Sequence, residues 1–173
     1  MFKSILVATD GSGYSNRAVA TACDLAAKLD VPLTMVHVLG HGHLSPDMAK
    51  MLEVEHLVER ERFRSPRVEE VSGNIGLAMR EDTVTYEFRA RRVVGEQIVK
   101  RARTAARDAG ARVAGAFVDD GEPVDRIIER ARESEADLIV LGRRGLSDLH
   151  GLLVGSVTHK VSQLADCACL TVK

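Results

Sequence analysis

The apolar residues of this chain fall into short continuous runs separated by stretches of helical spacing, so the pattern alternates between strand and helix. Ile5-Leu6-Val7-Ala8 is a β-branched, uninterrupted run of the kind buried on both faces of a parallel sheet, and it ends in the turn Thr9-Asp10-Gly11-Ser12-Gly13. From about Ser15 to Leu29, Ala18, Ala22, Leu25, Ala26 and Leu29 recur on one helical face, with Asp30 and Pro32 as the stop. Leu33 to Leu39 is a second apolar strand. Strand, helix and strand in this order make a βαβ unit with a right-handed crossover.

The second half repeats the alternation. Arg112 to Val118 predicts a strand, and Pro123 to Arg132 a helix with Val124, Ile127, Ile128 and Ala131 on one face. Asp137 to Leu141 predicts the next strand, followed by a glycine-punctuated loop, a helix from about Ser156 to Leu164, and a last strand, Ala168 to Val172. The expected fold class is α/β, an open five-stranded parallel sheet with helices on both faces.

The middle departs from this rhythm. From His41 to about Val94 charges are frequent and periodicity is weak, which reads as a long insertion between strands two and three of a single domain spanning 1–173. Within it, Ser45-Pro46 suits a helix start running to about Arg64. Gly73-Asn74-Ile75-Gly76 reads as a loop, and Thr83 to Phe88 alternates like an isolated strand. A helix returns from Gly95 to Ala109, closed by Gly110.

Composition narrows the classes of function. The 173 residues carry 45% hydrophobic and 28% charged residues and a formal net charge of -1, the profile of a soluble globular chain with no global attraction to nucleic acid or an acidic membrane. Aromatic residues are only 3%, too few for a base-stacking platform, and no apolar run reaches the length of a membrane span. The N-terminal run, interrupted by Asp10, reads as a strand rather than a signal peptide. Cys23, Cys167 and Cys169 do not form a disulfide framework, which fits a reducing cytoplasm. Cys23 is expected as a small buried hydrophobe, while Cys167 and Cys169 are expected to face opposite ways on their strand.

Chemistry concentrates in the segment Gly142 to Val157. It begins where a predicted parallel strand ends and closes where a helix begins, the place where open α/β sheets bind ligands. Gly142 and Gly145 allow a tight turn and close approach of backbone to a ligand. Gly155-Ser156 opens a helix whose unpaired N–H groups favour an anion, and Ser156 is placed to cap that helix or to offer its hydroxyl to a phosphate. Arg143 and Arg144 add cations suited to phosphate oxygens. The segment is neither a P-loop nor a GxGxxG turn.

The spacing Gly142-x2-Gly145-x9-Gly155-Ser156, together with the strand ending in Asp10-Gly11-Ser12 and with Val36-His37-Val38, resembles the ATP-binding pattern of the universal stress protein family. The resemblance covers about two-thirds of the chain, all but roughly His41 to Val94. It implies a Rossmann-like fold of the adenine nucleotide alpha hydrolase type. It also implies that Asp10 and Val38 contact the adenine and its surroundings, and that Leu141 and Gly142 line the nucleoside. Arg144, Gly145, Gly155, Ser156 and Val157 would hold phosphates and ribose. The implied ligand is ATP, with AMP or ADP as variants and Mg²⁺ as a possible companion. A homodimer through the last strand, an unidentified protein partner and a stress-response or regulatory role follow from the same resemblance. Two positions depart from it. Arg143 replaces a small polar residue, and Asp148 brings a negative charge into the loop.

Simpler readings stand beside these. The alternative for the glycine loop is a ligand-free βα connection, against which the presence of every motif glycine and of Ser156 favours binding, and Asp10 could be a helix cap, a task open also to Ser12 or Ser15. His37, His41 and His43 resemble a metal cluster, but their spacing does not match a nucleotidylyl transferase motif. A slow ATPase or phosphotransferase would need a base or water-orienting group; Ser147, Asp148 and His150 are the candidates. A nucleotide-free interaction module is the third reading.

Overall fold

The computed structural model describes residues 1–40, 75–145 and 154–173, with the side chains of 75–87 left aside. The elements in chain order are β1 (Ile5–Ala8), α1 (Gly13–Leu29), β2 (Leu33–Leu39), α2 (Ile75–Asp108), β3 (Val113–Asp120), α3 (Pro123–Glu133), β4 (Leu138–Gly142), α4 (Ser156–Leu164) and β5 (Ala168–Val172). The chain divides into two compact units, Met1–His41 with Gly95–Lys173, and Gly42–Val94.

The first unit holds the sheet, five parallel strands in the order β3-β2-β1-β4-β5. All four residues of β1 and all five of β4 are buried, as their unbroken apolar runs require for central strands covered on both faces. Alternation across the sheet separates two cores. Ile5, Val7, Leu33, Met35, Leu138 and Val140 pack with Ala18, Ala22 and Ala26 of α1 and with Ala102 and Ala106 of α2. Leu6, Ala8, Val36, Ile139 and Leu141 pack with Val124, Ile127 and Ala131 of α3 and Val161 of α4. The α/β class with helices on both faces is therefore as the pattern predicts. The order also creates a crevice: β1 turns toward β2 on one side while the chain returns to β4 on the other, so the ends of β1 and β4 part.

Element ends follow local chemistry. Ser12 caps α1, its hydroxyl accepting from the Ser15 N–H at 3.2 Å, and Asp30 in the left-handed region closes it. Gly110, at φ +74, terminates α2 as expected. The second unit contributes the first part of α2, and there two expectations fail. Thr83 to Phe88 is helix rather than strand, and Ile75-Gly76 begins that helix rather than closing a loop. An isolated strand leaves its backbone groups without a ladder partner, whereas a helix satisfies them within itself, so a short alternating run yields to the longer helix. The expected helix from Ser45 to Arg64 lies outside the described residues.

One expectation about the cysteines is also corrected. Cys167 and Cys169 pack against the same cluster, because positions two apart on an extended chain share a face. Both are free thiols, and Cys23 is buried as expected.

Candidate functional site

The crevice between β1 and β4 gathers residues from three segments far apart in sequence. Beyond β1 the chain makes a turn knitted by side chains. The Asp10 carboxylate accepts from the Ser12 N–H at 3.0 Å, and Thr9 Oγ accepts from the Gly11 N–H at 3.3 Å. The buried Ser15 hydroxyl lies 3.1 Å from that of Thr9 and donates to the Ser12 carbonyl at 3.1 Å. Because Ser12 is the cap of α1, Asp10 is released from the structural role open to it on sequence grounds.

From the other side come β4 and its loop. Gly145 lies directly against the Asp10 carboxylate, since a Cβ added at 145 would overlap Asp10 Oδ2. The Gly155 N–H donates to the Arg143 carbonyl at 2.8 Å, so the start of α4 folds back onto the loop after β4. A Cβ at 155 would lie 3.3 Å from the Arg144 Cα. Asp10, Gly145, Arg144 and Gly155 are thereby brought together. On the neighbouring face Leu141 is buried in the core that α3 and α4 cover, and the partly buried Val38 and Val157 pack against that core.

Helix α4 supplies the polarity. Its cap is Gly155, extended at φ -66 and ψ 150; among the described residues no side chain caps it, and its first turn holds no acidic residue. Ser156 is the first helical residue and is exposed, so it is not the cap that its residue type suggested. Free N–H groups at a helix start carry partial positive charge and suit an anion.

Two expectations about the loop are sharpened. Gly142 is the last residue of β4, paired with Val172, and does not form the turn. A Cβ there would lie 2.7 Å from Ser15 N and 2.8 Å from Tyr14 C, so close packing on the start of α1 demands the glycine. The other concerns Arg143. Its guanidinium lies 5.7 Å from the Tyr14 ring centroid, and that ring also carries Arg17 at 4.6 Å. Sequence reasoning overlooked Tyr14 and Thr158, whose hydroxyl donates to the Gly142 carbonyl at 2.8 Å. Nothing local signals them, because both act through neighbours supplied by tertiary packing.

His37 is buried in β2, its Nδ1 2.8 Å from the Thr9 carbonyl. Burial lowers its pKa below the ordinary 6.5, opposed by the Thr9 carbonyl and the charge of Asp10. The described residues contain no group of three or more side chains able to hold a metal, and no described helix is long and apolar enough to cross a membrane. His41, His43, Ser147, Asp148 and His150 lie outside the described residues.

Comparison with known proteins gives one consistent answer. The family model for the universal stress protein family matches residues 1–173. The chain is 31% identical to universal stress protein YxiE of Bacillus subtilis, over the whole length of both. Among solved structures it is similar to a universal stress protein in complex with cAMP, at 26% identity and a TM-score of 0.58, covering 99% of this chain and 96% of that one. The universal stress protein of Archaeoglobus fulgidus in complex with dAMP shares the fold at 22% identity and a TM-score of 0.57, covering 99% and 98%.

Proposed function

The chain belongs to the universal stress protein family, and from that premise we propose that it binds an adenine nucleotide, ATP in the first instance, in the crevice between β1 and β4. The observation that carries this reading is the Asp10 carboxylate held against Gly145, beside the start of α4, which no described side chain caps. A carboxylate accepts from an amino or hydroxyl group and repels phosphate, whereas the helix start attracts phosphate, so the two ends of the crevice suit opposite ends of a nucleotide. The relative solved with cAMP supports the same ligand class.

The roles are those that the family resemblance implies. Asp10 and Val38 take the base and its surroundings, and Leu141 with Gly142 lines the nucleoside. Arg144, Gly145, Gly155, Ser156 and Val157 hold ribose and phosphates. Mg²⁺ would enter as a companion of the phosphates. We read the protein as regulatory, changing its partners with nucleotide occupancy, and as a homodimer through β5, which stands at an edge of the sheet. Turnover of ATP remains the second reading.

The test is direct. Mass spectrometry of the denatured purified protein should release an adenine nucleotide, and calorimetry with ATP, AMP and cAMP should rank them. Gly155→Leu should lose at least tenfold in ATP affinity while melting as a folded protein, because its side chain would press on Arg144. Affinity retained in Gly155→Leu would sink the site. Following ATP to ADP over hours separates a sensor from an enzyme, and sedimentation reads the dimer.

A further inference from the structure

We propose that His37 is a positioning residue of the nucleotide site, holding the Thr9 carbonyl so that Asp10 is delivered against Gly145. The proposal rests on the nucleotide reading above. The β1–β2 ladder ends at the pair Ala8 and Val36, and one further bond follows, from the Thr9 N–H to the Val36 carbonyl at 2.9 Å. Past that point the chain leaves the sheet. The Thr9 carbonyl takes its proton instead from His37 Nδ1, at 2.8 Å, a donor on the adjacent strand. Hydrogen bonds among Thr9, Asp10, Gly11, Ser12 and Ser15 hold the turn together locally. His37 thus ties the turn to the sheet at the residue before Asp10.

The ring is held in place for this task. A Cβ at position 95 of α2 would sit 2.7 Å from His37 Cδ2 and 3.0 Å from Leu39 Cδ2 and Val118 Cγ1, so the helix rests on the imidazole through its glycine. The accepting carbonyl places the ring proton on Nδ1. Nε2 is then a buried lone pair without a hydrogen-bond partner among the described residues. An apolar side chain would fill the same space without burying that lone pair. Packing alone therefore does not account for a histidine here, and the bond to Thr9 does.

The experiment compares His37→Leu, which fills the space without a donor, with His37→Asn, whose amide can donate where Nδ1 does. Calorimetry with ATP reads the site, thermal melting reads the fold, and amide hydrogen exchange of Asp10, Gly11 and Ser12 reads the turn without nucleotide. His37→Leu should bind ATP at least tenfold more weakly and exchange faster at those three amides while still melting cooperatively. His37→Asn should restore most of the affinity and the protection. Affinity and protection in His37→Leu within twofold of the parent would overturn the proposal, as would His37→Asn behaving like His37→Leu. A parent chain that binds no adenine nucleotide would sink the nucleotide reading instead, and the exchange comparison would still decide whether His37 orders the turn.

Discussion

Replacing Gly142 by alanine tests whether a glycine of the motif is required by the packing of the fold. Gly142 lies in β4 and is not among the glycines with positive φ, so its backbone conformation accepts a side chain. The added Cβ would meet Ser15 N at 2.7 Å, Tyr14 C at 2.8 Å and Tyr14 O at 3.0 Å. All three are backbone atoms of the first turn of α1, and they cannot rotate away. Nor can β4 retreat easily, since the Thr158 hydroxyl holds the Gly142 carbonyl and the Arg143 N–H donates to the Val172 carbonyl at 2.7 Å. Overpacking of this kind costs about 1–3 kcal/mol. Alanine recovers about 0.4–1 kcal/mol by restricting the unfolded chain. The net loss is about 0–2.6 kcal/mol, and the rigid neighbours place it in the upper half of that range, a fall in Tm of about 3–10 °C for a chain of this size. Thermal melting by circular dichroism measures the shift. A Tm equal to or above that of the parent would refute the packing argument. Calorimetry below the melt should show a smaller loss of ATP affinity than in Gly155→Leu, because the new methyl faces α1.

Three further outcomes are expected. Thr158→Val keeps the shape but leaves the buried Gly142 carbonyl without the donor at 2.8 Å, and chemical denaturation should show a loss of about 1–3 kcal/mol. His37 has a folded-state pKa below its unfolded value of 6.5, so the unfolded chain binds the extra proton and stability falls as pH drops below 6.5, levelling once the folded pKa is passed. Urea titrations from pH 7 downward should show that slope, and His37→Asn should flatten it. Burial, with Asp24 adding to it, pushes the Cys23 thiol up to about 11, so iodoacetamide at pH 8 should label it only on unfolding, as mass spectrometry would reveal.

The elements of the sheet unit were legible in the sequence because their signals are local. Continuous apolar runs marked β1, β2 and β4, helical spacing marked α1, α3 and α4, and the last helix and strand agree to the residue with the pattern. The glycine spacing and Asp10 were legible too, as residue types suited to an anion and a donor. What those residues touch was not. That Gly142 faces the start of α1, that Gly145 abuts Asp10, and that Arg143 lies over Tyr14 depend on segments joined only when β1 and β4 become neighbours. The run Thr83 to Phe88 shows the same limit from the other side: its alternation suits a strand, but a strand needs a partner that only the fold can supply, and the helix needs none. Periodicity is written along the chain and determines the elements. Contact between distant backbones is decided by packing, and only there do the neighbours of the glycines, Thr158 and His37 appear.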